Sequence, residues 1–486
     1  MTDDLAYRGA TEQVAALRRR DVSSAELVAH AIARIEALDQ RVNAVVVRDF
    51  ERARLAATDA DAALARGERL PLLGLPMTVK ESFNVAGLPT TWGYKEARGF
   101  VPDADAVAVT RLKAAGAIIL GKTNVPRDLG DWQSYNDIHG TTANPWNTGR
   151  TPGGSSGGSA AALAAGFVAL ELGSDIGGSL RTPAHFCGVC AHKPTHALLP
   201  SRGQTPPGLS PLPNEPELAV IGPMARSAAD LAVALDILAG PDTPLATAYR
   251  LELPPPRHAA LRDFRVLVLD EHPSIPTAEA VRAPIMRLAA RLEAAGAKVA
   301  RSSPLLPDLA LQARIYMRRL MGFFGAFTPE AEYRQVAEQM AALPADDASL
   351  AAWRGRGLVA SHRDWMQAGF VSAMQQQQWR ALFVEFDVVL APPMPTAAFP
   401  HDHSPDQEQR RIDVDGTALP YTDQLVWPGV ATLPLLPATA IPLERTADGL
   451  PTGVQIIGPY LEDRTPLAFA ALVEREFGGF VPPPGW

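Results

Sequence analysis

The chain has 486 residues, 47% of them hydrophobic and 20% charged, a balance that suits a large globular enzyme with an ample core. A formal net charge of −8 argues against nucleic acid or an anionic membrane as a partner. Two cysteines fit a reducing compartment, and the acidic, amphipathic start shows no apolar h-region of a secretory leader, so a cytoplasmic location is expected. No linker-like stretch, repeat or low-complexity tract divides the chain.

In chain order, Ser23 and Glu26 form a capping-box pattern that opens a helix to about Leu38. Apolar runs predict strands near Leu72–Val79 and Ala117–Leu120, with a helix over Ala106–Ala115 before the second. A helix is expected from Gly158 to Ala165 and a strand near Val168–Leu172. Further strands are predicted at Arg265–Leu269, Lys298–Arg301, Val388–Ala391 and Thr452–Ile457. Helical patterns cover Thr277–Ala295, Asp364–Phe386 and Pro466–Phe477. The alternation implies an α/β fold with a mixed sheet covered on both faces by helices. The most apolar late segment, 426–443, holds Pro428, Pro434, Pro437 and Pro442 and cannot form a regular membrane helix.

The richest stretch runs from Pro152 to Pro183. It holds two glycine-flanked serine clusters, GGSSGG at 153–158 and DIGGS at 175–179, separated by room for a helix and a return strand. Glycine lets the backbone take positive φ and approach another atom closely. A serine beside successive backbone N–H groups can attack a carbonyl whose oxygen those donors then stabilise. Two such serines suggest a nucleophile and a helper.

Residues 153–194 resemble the amidase signature family, in which GGSSGG is followed by GS/TDxGGS, FCG and KPT segments. Here these are Gly153–Gly158, Gly173–Ser179, Phe186–Cys187–Gly188 and Lys193–Pro194–Thr195. PMTVKE at 76–81, GKTNVP at 121–126, NPWN at 144–147 and GVQIIGP at 453–459 extend the likeness in the same order. The resemblance implies one amidase domain over 1–486 with a mixed twisted sheet. Its core would span about 70–240 and 385–486, and a more variable helical region at about 305–385 would line the substrate site. It makes Ser179 the nucleophile, Ser155 a bridging serine on a cis peptide bond, and Lys80 the base. A lysine needs burial to be neutral near pH 7, and the apolar run PLLGLPMTV before Lys80 supplies it. Backbone N–H groups of Ile176, Gly177, Gly178 and Ser179 would line the oxyanion site. Ser156, Ser174 and Asp175 are candidate supporting or substrate contacts. Arg181 would pair with a substrate carboxylate or with a structural acid. The family often has Gly-Leu before KPT, where Ala191 and His192 stand here.

Rival motifs carry less. GAIILGKT at 116–123 matches the phosphate-loop pattern, but its middle reads as a buried strand and TNVP follows where a helix should start, so Lys122 is read as a strand-end residue. GGSSG at 153–157 matches a nucleophile elbow, yet turn-forming ANPWNTGRTP precedes it instead of a strand. A Ser-His-Asp arrangement would draw on His258, His272, His362, His401 or His403, none with a local signature, or on His185, better read as structural. Cys187 and Cys190 form a lone C-x-x-C without the second pair that a zinc site needs.

The loop at 201–217 is a candidate lid, and IYMRRLMGFFGAFTPE at 315–330 is either pocket lining or plain core. The expectation is a cofactor-free and metal-free amide hydrolase acting on small aryl or alkyl amides. Aryl esters and carbamates fall within the same acyl chemistry, and the resemblance permits a homodimer. Three alternatives stand beside it: a glutamine-amidase subunit of a tRNA-dependent amidotransferase, a Ser-His-Asp α/β-hydrolase, and a binding module using the glycine-rich loops as an anion cradle.

Overall fold

The computed structural model describes residues 4–210 and 215–486. Its centre is one mixed sheet of eleven strands. In chain order these are β1 (Val45–Arg48), β2 (Pro76–Lys80), β3 (Ile118–Thr123), β4 (Leu170–Asp175), β5 (Cys190–Lys193) and β6 (Val220–Ala225). There follow β7 (Arg265–Val268), β8 (Lys298–Ala300), β9 (Val388–Ala391), β10 (Ala438–Arg445) and β11 (Pro451–Ile457). Their spatial order is β1-β3-β2-β4-β6-β5-β10-β11-β9-β7-β8. β2 runs parallel to both β3 and β4, whereas β4 to β6, β5 to β10 and β10 to β11 are antiparallel. The expected α/β class with helices packed on the sheet is what forms.

Local chemistry explains where the elements begin. Ser23 caps the helix Ser24–Leu38: its hydroxyl accepts from the Glu26 N–H at 3.1 Å, and the Glu26 carboxylate accepts from the Ser23 N–H at 2.8 Å. The helix Gly157–Ala164 is built almost wholly of small residues and is buried along its whole length, packed against the helix Arg181–Cys187. Small side chains allow that close approach. The remaining predicted helices stand at Val107–Ala114, Glu279–Ala294, His362–Glu385 and Arg464–Phe477.

Several elements were not expected: the helices Ala10–Arg19, Phe50–Ala65 and Ala228–Leu238, and strands β1, β5, β6 and β10. β5 and β6 are buried on both faces, so they show no polar–apolar alternation. The proline-rich segment at 426–443 splits into a helix, Val426–Thr432, and the start of β10. Among the described residues no helix is long and apolar enough to cross a membrane. Of the candidate lid at 201–217, residues 211–214 lie outside the described residues.

The phosphate-loop look-alike is β3, buried at every position, followed by a loop with only a single 3-10 turn at Arg127–Leu129 where an α-helix would be needed. Lys122 donates to the Pro89 carbonyl at 2.5 Å and to Thr90 Oγ1 at 2.7 Å. Burial brings its pKa down to about 8 against the opposing charge of Glu81. Gly121 lies where β1 and β3 pair across a bulge, with φ +155 and space for no Cβ: one would sit 2.1 Å from the Val47 carbonyl oxygen. Gly121→Ala must therefore push β1 and β3 apart. It should lower the apparent melting temperature by several degrees, a loss of about 2 kcal/mol or more. Gly99→Ala, where nothing lies within 4 Å of the new Cβ, should change it little. Thermal melts of both variants check this.

Candidate active site

β2 ends at Lys80, between β3 and β4, with all five of its residues buried. The Lys80 side chain therefore points into a site with no exposure to water. Its Nζ lies 2.6 Å from Ser155 Oγ and 2.9 Å from Ser174 Oγ. Burial brings the Lys80 pKa down from its usual value to about 7, although the nearby charge of Asp175 works against that. Glu81, the next residue, turns the other way and accepts from the N–H groups of Thr91 and Trp92 at 2.5 and 3.0 Å.

Ser155 follows a cis peptide bond from Gly154. Gly154 is packed so tightly on the preceding loop that a Cβ would sit 2.2 Å from the Asp131 carbonyl oxygen. The Ser156 N–H donates to the Ser179 carbonyl at 3.2 Å, which sets the two serine segments side by side. Ser156 Oγ also stitches to the backbone of Ser174 at 3.4 Å in both directions. Ser155 is buried, and Ser179 is only 7% exposed. Their hydroxyls make no hydrogen bond to each other in this structure, so the chain of contacts closes from Lys80 to Ser155 and stops there.

The turn that carries Ser179 is organised by Asp175. Its carboxylate accepts from the N–H groups of Gly178, Leu180 and Arg181 at 2.9, 3.1 and 3.4 Å. This corrects one expected oxyanion donor: the Gly178 N–H is already committed to Asp175. The N–H groups of Ile176, Gly177 and Ser179 have no partner among the described residues. Burial alone would raise the Asp175 pKa, but the Arg181 guanidinium outweighs it and holds the carboxyl at about 2.

Arg181 resolves to the structural alternative. It is fully buried, and all five of its N–H donors are taken. Nε and Nη2 bind Asp175 at 3.0 and 2.9 Å, and Nη2 also reaches Thr432 Oγ1 at 2.9 Å. Nη1 serves the Pro428 carbonyl at 3.0 Å and Gln455 Oε1 at 2.8 Å. No donor remains for a substrate carboxylate.

Two buried ionisable residues here escaped the sequence reading. Lys193 donates to the Pro194 carbonyl at 3.0 Å, and burial together with the Arg181 charge brings its pKa down to about 7. Glu171, in β4, accepts from Thr78 Oγ1, and burial pushes its carboxyl up to about 8, so it adds no negative charge at neutral pH. The KPT resemblance marked Lys193 without a role, and Glu171 had no motif at all.

The histidines do not join this cluster. His185 is buried between the Thr396 carbonyl and the Gly453 N–H, and burial lowers its pKa to about 4. His258 pairs with Asp387 at 3.2 Å, and His403 stacks on Tyr135. None hydrogen-bonds Ser155 or Ser179. Both cysteines are buried and free, with Cys190 donating to Glu474 at 3.0 Å. Among the described residues no group of three His, Cys, Asp or Glu could hold a metal ion. The departure at Ala191–His192 has a local account, since His192 bonds Asp463 and Thr439 at 3.2 and 3.0 Å. A surface groove of about 540 Å³ beside the helix Phe50–Ala65 contains none of the site residues.

Fold and site define an α/β enzyme whose central cluster joins serines to a neutral-leaning lysine instead of a histidine. The chain belongs to the amidase family, whose profile matches residues 26–467, and it is thereby a hydrolase acting on carbon–nitrogen bonds. It is 33% identical to a glutamyl-tRNA(Gln) amidotransferase subunit of Roseiflexus sp. (strain RS-1), over 95% of this chain and 94% of that one. It is 32% identical to fatty-acid amide hydrolase 2-A of Danio rerio, over 99% and 91%. Among solved structures it resembles a chain of an inhibitor-bound, vestigial protein complex described as revealing the evolutionary origins of an s-triazine catabolic enzyme, with TM-score 0.81 and 30% identity over 97% of this chain and 99% of that one.

Removing Arg181 would leave Asp175 buried and unpaired, a change that typically costs about 3–5 kcal/mol. Arg181→Ala should therefore lose stability in thermal or denaturant unfolding. Activity should fall alike on substrates with and without a carboxylate. A loss confined to carboxylate-bearing amides would contradict the structural assignment.

Proposed function

We propose that the chain hydrolyses the C–N bond of small aryl or alkyl carboxylic amides through an acyl-enzyme on Ser179, with Ser155 and Lys80 moving the protons. The observation that carries this reading is the contact of 2.6 Å between Ser155 Oγ and a fully buried Lys80 whose pKa is brought down to about 7. Near neutral pH much of that lysine is unprotonated and can accept the Ser155 proton, while its own N–H donates to Ser174 Oγ. Ser155 then takes the proton of Ser179 as Ser179 Oγ attacks the carbonyl. The Ser155–Ser179 link would form on rotation of the hydroxyls when substrate arrives, since catalytic hydrogen bonds often tighten only in the complex. Developing negative charge on the carbonyl oxygen would meet the N–H groups of Ile176, Gly177 and Ser179. Ser155 returns a proton to the leaving amine, and water, activated by the same relay, cleaves the ester.

The preference for aryl or alkyl acyl groups rests on what surrounds the turn. Leu425 lies beside Gly177, and Ile176 packs on the hydrophobic cluster that holds Leu425. The helix Leu309–Gly325 contributes to the same cluster, and the region at about 305–385 is the proposed substrate lining. Aryl esters and carbamates would be accepted by the same chemistry. A chain that released ammonia from glutamine only with added partner subunits would instead belong to an amidotransferase assembly.

Two measurements test the assignment. Ser179→Ala should fold normally and reduce amide turnover to background, and mass spectrometry after a slow acylating ester should place the adduct on Ser179 of the unaltered chain. An adduct on Ser155 or Ser156 would overturn the nucleophile.

The pH–rate profile tests the base. Activity should rise as Lys80 loses its proton, with a midpoint near about 7, and plateau on the alkaline side. Lys193 is placed in the same range, so the profile must be compared between variants. Lys80→Ala should remove the limb and slow amides more than activated esters, whose leaving group needs no proton. Lys80→Arg should not rescue, because guanidinium stays charged. A limb that persists in Lys80→Ala would take the base role away from Lys80.

A further inference from the structure

The glycine-rich turn at 176–178 is soft by composition, yet its two outward carbonyls are each gripped by a side chain from a distant segment of the chain. Tyr316, in the helix Leu309–Gly325, donates its O–H to the Ile176 carbonyl at 2.7 Å. Trp132, on the loop after β3, donates its indole N–H to the Gly177 carbonyl at 2.8 Å. Neither residue belongs to the serine–lysine cluster.

In a trans peptide the C=O of one residue and the N–H of the next point in opposite directions. Holding the Ile176 oxygen toward Tyr316 therefore aims the Gly177 N–H away from it. Holding the Gly177 oxygen toward Trp132 turns the Gly178 N–H the other way, where it meets Asp175 Oδ1 at 2.9 Å. Gly177 has no Cβ to bias its dihedrals, and Gly178 sits at φ +98. Without the two grips, the 176–177 peptide plane is free to rotate. A flip would replace an N–H by a carbonyl oxygen at the place where negative charge develops, exchanging attraction for repulsion.

We infer that Tyr316 and Trp132 are positioning residues of the oxyanion site, locking the Ile176 and Gly177 peptide planes so that the Gly177 N–H faces the acyl carbonyl. This rests on the oxyanion reading of the turn given above. Both clamps are built to be rigid. Tyr316 is fully buried, and its ring lies so close to Gly429 that a Cβ there would come within 2.5 Å of it. Burial pushes its phenol far above the ordinary value, so it remains a donor throughout the working range. Trp132 stacks edge-on to Tyr421 at 5.3 Å. Tyr421 donates to Asp131 at 2.5 Å, and Arg410 pairs with the same carboxylate at 2.6 Å. The clamp thus has one arm in the helical region and one in the motif-bearing half of the fold.

The test uses Tyr316→Phe, which deletes the donor and keeps the ring, and Trp132→Phe, which removes the other donor. With 4-nitrophenyl acetate and 4-nitroacetanilide as probes, each variant should lose about 10- to 100-fold in kcat and equally in kcat/KM, with KM little changed. That sits below the roughly 10²–10³ lost when an oxyanion donor itself is removed. Inhibition by phenylboronic acid, whose tetrahedral adduct uses the same donors, should weaken in parallel, and the midpoint of the pH limb should stay where it is. Gly429→Ala, which must displace the Tyr316 ring, should reproduce the Tyr316→Phe pattern. Unaltered kcat and boronate affinity in both phenylalanine variants would overturn the inference, as would a raised KM at constant kcat, the mark of a mere pocket wall. Failure of the parent reading looks different: Ser179→Ala would then retain activity, or the adduct would form elsewhere, whatever the clamp variants did.

Discussion

The site depends on one buried ion pair, Asp175 with Arg181. Lys80 must be buried to lose its proton, and a bare carboxylate beside it would hold that proton in place. Asp175 is such a carboxylate, and its charge does oppose the shift at Lys80. Two bonds from the Arg181 side chain and three backbone N–H groups offset most of that negative charge locally. Glu171, another acid buried beside β2, contributes little charge because burial raises its pKa to about 8. The balance leaves Lys80 poised near neutrality instead of fixed as a cation.

The same ion pair shapes the turn that carries Ser179. Asp175 takes up the N–H groups of Gly178, Leu180 and Arg181, while those of Ile176, Gly177 and Ser179 keep no partner among the described residues. Arg181 in turn ties the turn to Pro428, Thr432 and Gln455, so the end of β4 is fastened to the helix Val426–Thr432 and to β11. One pair of side chains therefore acts on both the electrostatics of the site and the backbone of the turn. An isolated buried pair is often no better for stability than apolar packing. Here its charge distribution and the direction of its donors are what the proposed mechanism uses.

What was legible in the sequence follows from range. Ser155, Ser179 and Asp175 lie in contiguous glycine-rich runs, where the backbone demand and the reactive side chain are written in the same few letters. Lys80 was legible because an apolar strand precedes it, which is a local signal of burial. Arg181 was ambiguous, since two residues beyond a nucleophile a guanidinium serves a substrate or a structural acid equally well; only the filling of all five donors decides. Gly178 was misjudged as a donor for a related reason, because a run of glycines shows how many N–H groups are available but not which the nearby aspartate claims. β5 and β6 were missed because strands buried on both faces lose the alternation that announces a strand.

Tyr316 and Trp132 mark the far end of that scale. One stands 140 positions from its partner carbonyl and the other 45, and each is a single aromatic residue in a stretch that reads equally well as core. A tyrosine that packs and a tyrosine that packs while donating to one chosen carbonyl have the same local pattern. The distinction arises only when the helix Leu309–Gly325 is laid against the end of β4. The serine–lysine cluster is thus written in short contiguous runs that sequence exposes, while the carbonyls of the Ser179 turn are held by residues far along the chain, one of them in the helix Leu309–Gly325.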